Sequence, residues 1–216
     1  MPSIKLTYFN LRGRGELPRL LLAYARVPYE DERIAVPWFD PKPRTDLKPS
    51  TPFGQLPIML WNGEELAQCL GVARFLAKEF GLAGRNNLEA AQVDEIVYAL
   101  QDALDFGWDA MFDEDEAKKK TMLEKYRKET VPAILVQIEA RLTKRGGQFL
   151  VGNMFSLADL QTFFFCSELG LTWSIAVDVK KYPGVDGLVR RVGELPNIKQ
   201  WVQDRPPTTG PEGGSL

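Results

Sequence analysis

Apolar and polar residues alternate across Ile4-Lys5-Leu6-Thr7-Tyr8-Phe9, the period-two signature of a strand over residues 3–9. Leu17 to Ala25 changes to helical spacing, and Tyr29 to Ile34 predicts a second strand. Ile58-Met59-Leu60-Trp61 and Glu64-Glu65-Leu66-Ala67 flank Asn62-Gly63, a dipeptide that tolerates the positive φ of a two-residue hairpin turn. A helix is predicted directly afterwards, with Leu70, Ala73, Arg74 and Ala77 at helical spacing and Gln68 and Cys69 in its first turn. These elements make a small α/β unit, and everything beyond it reads as helical. Leu88 to Phe112 is one long helix, and Glu116 to Lys144 is a second, with a kink at Pro132 where a helical N–H is missing. Ser156-Leu157-Ala158-Asp159 is a capping motif, Ser156 capping and Asp159 reaching back, ahead of the buried run Leu160 to Cys166. Its role is helix initiation rather than chemistry.

Phe80-Gly81-Leu82-Ala83-Gly84-Arg85-Asn86-Asn87 has no periodicity and carries helix breakers. The expected division is therefore an α/β domain over residues 1–80, a linker over 81–87, an all-helical domain over 88–205 and a flexible Pro- and Gly-rich tail over 206–216.

With 44% hydrophobic residues, the 216-residue chain can bury a sizeable core. A formal charge of -2, from 27 basic and 29 acidic residues, argues against an electrostatic grip on nucleic acid. Histidine is absent, which removes serine-histidine and histidine-zinc chemistry. Cys69 and Cys166 lie too far apart in sequence to suggest a disulfide framework, and no apolar run follows a basic start. A reducing, cytoplasmic setting is expected. No apolar run approaches the roughly 20 residues that span a bilayer.

Candidate chemistry begins at Thr51-Pro52-Phe53-Gly54-Gln55-Leu56-Pro57. Pro57 opens a strand without a donor N–H and, if cis, turns the amide and carbonyl of Leu56 outward. The helix start at Gln68 and Cys69 supplies unbonded N–H groups and a positive dipole end, which favour a carboxylate. The pattern suits an amino-acid-like anion.

Tyr8, Arg14, the Pro52–Pro57 run and Gln68, with Lys5-Leu6-Thr7-Tyr8-Phe9-Asn10 and Arg12-Gly13-Arg14-Gly15-Glu16, resemble the glutathione transferases, most closely their sigma class. The resemblance covers about residues 1 to 205. It implies a thioredoxin-like N-terminal domain followed by a helical C-terminal domain, acting as a homodimer. Tyr8 is then the thiol-activating residue: a phenol stays neutral at neutral pH and donates a hydrogen bond that favours the glutathione thiolate. Arg14 adds positive charge near the same sulfur or the phenol oxygen. Trp38 and Lys42, at i, i+4 spacing, match the pair that holds the glycyl carboxylate. The stretch Pro43 to Pro49 is longer than in compact family members, so Arg44 or Lys48 could substitute for Lys42. Gln55, Leu56 and Pro57 match the cysteinyl subsite, and Gln68 and Cys69 the γ-glutamyl carboxylate subsite. Asp102 matches the aspartate that reaches the γ-glutamyl ammonium in the neighbouring subunit. Phe9, Gly13, Arg14, Trp108, Met111 and Phe112 match the pocket for a hydrophobic electrophile.

Cys69 departs from the family, which usually has serine there. A thiol is a weaker donor, and a helix start would lower its pKa and invite oxidation; a neutral swap of small residues is the plainer account. The resemblance implies no cofactor, with glutathione as co-substrate, and no metal. A structural crystallin-type descendant and a non-catalytic ligand carrier share the fold, but retention of Tyr8, Arg14 and Gln68 favours the enzyme.

Overall fold

The computed structural model describes residues 1–35, 47–169 and 178–208. Among these the chain forms two compact units, Met1–Phe80 together with the segment from Glu194 onward, and Gly81–Gly193.

The first unit is built on a four-stranded sheet in the order β2-β1-β3-β4. Strand β1 (Ile4–Phe9) runs parallel to β2 (Glu30–Ile34) and antiparallel to β3 (Ile58–Trp61), which pairs antiparallel with β4 (Glu64–Ala67). Asn62 and Gly63 take φ of 53° and 88°, the two positive values that a hairpin of matching twist requires. Helix α1 (Gly13–Ala25) begins four residues earlier than its apolar spacing suggested, because Gly13 accepts a φ of 40° where the chain leaves β1. Leu6, Leu17, Leu20, Leu21, Leu22 and Met59 have no exposure, and each contributes about 1.5–3 kcal/mol by leaving water.

A short helix, α2, spans Leu47–Ser50, and α3 spans Cys69–Glu79. The buried face of α3 is Cys69, Val72, Ala73, Leu76 and Ala77. That corrects the expected stripe: Leu70 and Arg74 are only half-buried, since the face turned to α1 is set by the i, i+3, i+4 series starting at Cys69.

In the second unit, α4 (Asn87–Met111) starts at a side-chain cap, Asn86 Oδ1 accepting the Glu89 N–H at 3.0 Å. Helix α5 (Glu116–Lys125) and α6 (Val131–Lys144) are separated by a π-helical turn at Tyr126–Thr130. The predicted kink is thus a widened turn just before Pro132, in which Val131 N–H bonds back to the Tyr126 carbonyl. Helix α7 (Leu157–Phe163) is buried on every side and runs into a second π-helical turn, Phe164–Leu169. Its capping box is formed: Asp159 accepts the Ser156 amide and hydroxyl, each at 2.8 Å, and the Leu150 N–H at 2.9 Å. Helix α8 (Pro183–Gly193) packs against α6 and α7 through Val185, Leu188 and Val192.

The last helix, α9 (Pro196–Asp204), was expected in the helical domain but packs on α1 in the first unit. Its register is set by polar contacts as well as by buried Ile198: Trp201 Nε1 donates to Glu16 at 2.8 Å and Arg205 to the same carboxylate oxygen at 3.1 Å. No described helix is long and apolar enough to cross a membrane.

Candidate active site

Tyr8 is the last but one residue of β1, opposite Arg33 on β2, and is 6% exposed. The chain turns sharply after it, so the first turn of α1 comes back over the ring. Two glycines make that approach possible: a Cβ on Gly13 would meet the phenol oxygen at 2.7 Å, and one on Gly15 would meet the ring at 2.4 Å. The Arg14 backbone N–H then donates to the phenol oxygen at 3.1 Å. An oxygen that accepts a hydrogen bond is itself a stronger donor, so this amide prepares the phenol to donate to an anion. Phe9 packs edge-on to Tyr8, ring centres 5.6 Å apart, and Leu56 packs against the small cluster of Tyr8 and Leu11.

The backbone clamp lies in the same unit. The Leu56–Pro57 peptide is cis, and Pro57 is buried at the head of β3. Gln68 precedes α3 with a φ of 69°, and its side-chain amide donates to Gln55 Oε1 at 3.1 Å. Gln55 and Gln68, thirteen residues apart, are therefore neighbours, both exposed. Cys69 opens α3 at 7% exposure, in no disulfide, with its side chain on the face that α3 buries. Cys166, the other cysteine, is deep in the second unit, where burial pushes its thiol up to about 12.

Trp38, Lys42 and Arg44 lie outside the described residues, and of Lys48 only the backbone, in α2, is described. Asp102, Trp108 and Met111 belong to α4, and Phe112 follows it directly. Asp102 is exposed, Trp108 and Met111 are half-buried and Phe112 is 55% exposed.

Sequence reasoning gave no individual role to Gly15, Glu16 or Arg19. Gly15 leaves room for the Tyr8 ring, and the only signal was a second glycine two residues after Gly13. Arg19 and Glu16 are 0% and 1% exposed. A signal did exist for Arg19: a charge within Leu17-Pro18-Arg19-Leu20-Leu21-Leu22 has no dry place to sit unless partners neutralise it.

Comparison with known proteins gives the family. The glutathione S-transferase N-terminal domain family matches residues 4–78, and the glutathione S-transferase C-terminal domain family matches residues 101–205. Glutathione S-transferase 1 of Ascaris suum is 38% identical, with 96% of this chain and 99% of that protein covered. Hematopoietic prostaglandin D synthase of Gallus gallus is 37% identical over the same shares. Among solved structures, prostaglandin synthase D of Nilaparvata lugens superposes with a TM-score of 0.84 at 32% identity, covering 94% of this chain and 98% of that one. The chain belongs to the glutathione S-transferase family.

Proposed function

We propose that this protein is a glutathione transferase that conjugates reduced glutathione to hydrophobic electrophiles through a thiolate held by Tyr8. The observation that carries the reading is the phenol backed by the Arg14 amide and seated against Gly13 and Gly15. Glutathione loses its thiol proton to solvent on binding, and the Tyr8 O–H donates to the sulfur anion, where charge is concentrated before attack. The sulfur lone pair then forms a bond to the electrophilic carbon as the leaving group departs with its own electron pair. Gln55, Leu56 and Pro57 are assigned to the cysteinyl unit, and Gln68, Cys69 and the N–H groups opening α3 to the γ-glutamyl carboxylate. Trp38 and Lys42 are assigned to the glycyl carboxylate. Phe9, Gly13, Arg14, Trp108, Met111 and Phe112 are assigned to the electrophile. The reaction needs no cofactor beyond glutathione as co-substrate. Turnover of a chromogenic aryl halide with glutathione tests the reading; a folded protein without turnover would favour the crystallin-type or carrier descendant.

The names of the Gallus gallus and Nilaparvata lugens relatives support prostaglandin isomerisation, on the same thiolate, as a second, sigma-class reaction. Two buried cysteines, neither in a disulfide, support a reducing, cytoplasmic setting.

Two measurements test individual assignments. Cys69→Ser should tighten glutathione binding by about one neutral hydrogen bond, roughly 0.5–1.5 kcal/mol, because a hydroxyl is the better donor. Calorimetry on both forms decides it, and weaker binding in the serine form would give the thiol a role of its own. The second concerns assembly: we assign Asp102 to the γ-glutamyl ammonium bound in the neighbouring subunit of a homodimer. Asp102→Ala should then raise the glutathione KM several-fold while the protein sediments as a dimer, since a charge-assisted bond contributes roughly 1.5–3 kcal/mol. An unchanged KM in a verified dimer would sink the shared site.

A further inference from the structure

Among the described residues, Arg19 heads the fully buried side chains by volume. A dry guanidinium is tolerated only when its donors are placed, and here they are. One terminal nitrogen donates to the Leu11 carbonyl at 2.6 Å and to Glu16 at 3.4 Å; the other donates to the Phe9 carbonyl at 3.4 Å; Nε donates to Asp31 at 3.1 Å. Two of these acceptors are backbone carbonyls in the turn that immediately follows Tyr8. The guanidinium carbon also lies 5.8 Å from the centre of the Tyr8 ring.

We propose that Arg19 is a positioning residue for Tyr8, holding the β1–α1 turn so that the phenol oxygen meets the Arg14 amide; the proposal rests on Tyr8 acting on the glutathione sulfur. The planar fork spans the Phe9 and Leu11 carbonyls at once, which fixes the path of the chain between Tyr8 and Gly13. The fork is held in turn by two carboxylates, each with partners of its own. Glu16 comes from α1 and is clamped by Trp201 and Arg205. Asp31 comes from β2 and also takes Arg33 Nε at 2.7 Å. Arg33 in turn donates to Asn10 Oδ1 at 3.1 Å, in the same turn after β1. A purely structural hub would contribute to stability and leave the chemistry of a folded enzyme untouched; a positioning residue changes the bound thiol itself.

The test compares wild type, Arg19→Lys, Glu16→Gln and Tyr8→Phe with glutathione saturating, following the ultraviolet absorbance of the bound thiolate against pH. Lysine keeps the charge but cannot span both carbonyls. In Arg19→Lys the bound thiol pKa should rise by about half to one unit and kcat at neutral pH fall about three- to ten-fold, with the calorimetric glutathione Kd within about two-fold. Glu16→Gln keeps the shape and an acceptor for Trp201 and Arg205 but turns an amide toward Arg19, and should raise the thiol pKa in the same direction. A wild-type thiol pKa in folded Arg19→Lys overturns the proposal; if that variant does not fold, a wild-type thiol pKa in Glu16→Gln overturns it. A wild-type thiol pKa in Tyr8→Phe is a different failure, because it removes the Tyr8 reading and the Arg19 role with it.

Discussion

Tyr8→Phe should lower kcat by about 10²-fold, the usual loss when one donor to a developing or resident anion is removed. The effect should fall on turnover and not on binding. Phenylalanine fills the same space against Gly13 and Gly15, so the 6%-exposed ring stays packed and the fold is kept. What disappears is the oxygen that accepts the Arg14 amide and donates to the sulfur. The clamps on the tripeptide carboxylates are other residues, so glutathione affinity should stay within about two-fold, and the bound thiol pKa should rise by at least about one unit, each unit being ~1.4 kcal/mol of lost preference for the thiolate. Stopped-flow turnover, calorimetry and the thiolate titration give the three numbers independently. An unchanged thiol pKa would remove Tyr8 from the mechanism.

The largest effect on stability is expected at Asp159, which sequence reading treated as a plain capping residue. The carboxylate is 1% exposed and accepts the Leu150 amide, the Ser156 amide and the Ser156 hydroxyl. Asp159→Ala leaves two buried amides unbonded at about 1–3 kcal/mol each and removes the cap, for a total loss of roughly 3–5 kcal/mol and a fall in Tm of about 10 °C. The pH dependence gives a second check. Burial holds this carboxyl above its ordinary 3.8, against the pull of the donors around it. A raised folded pKa adds stability that is fully present below 3.8 and is lost as pH rises through the folded value. The gap between wild type and Asp159→Ala, measured by urea unfolding, should therefore narrow from acid toward neutral pH. A gap that widens would reverse the inferred shift.

What could be read in advance was what local chemistry dictates. Asn62-Gly63 can hardly be anything but a hairpin turn, Ser156 with Asp159 is a cap whatever surrounds it, and Pro57 cannot donate wherever its strand lies. Phase was harder. The α3 stripe was drawn through Leu70, Ala73, Arg74 and Ala77, one position out of phase with the buried series that begins at Cys69. The helix break near Pro132 was visible, but its form as a π-helical turn depends on how Tyr126 is buried between helices. Of the candidate site, the sequence offered the residues of its motifs; which of their side chains touch is set by the fold. That Gln55 meets Gln68 follows from the closed hairpin between them, and that Arg19 grips the turn after Tyr8 follows from α1 lying over β1. Neither contact leaves a trace in spacing.

The placement of α9 has a consequence for how the chain is made. Residues 1–80 emerge first from the ribosome, but the unit they form is completed only by the segment after Glu194. At ordinary translation rates the intervening 113 residues, Gly81–Gly193, take roughly 6–23 s to synthesise. For that interval the nascent first unit has neither the Trp201 nor the Arg205 donor for Glu16, so a carboxylate destined to be buried faces solvent, and the surface of α1 that α9 will cover is bare. A nascent chain stalled before residue 194 thus leaves that face of α1, and the Glu16 carboxylate, to solvent until α9 arrives.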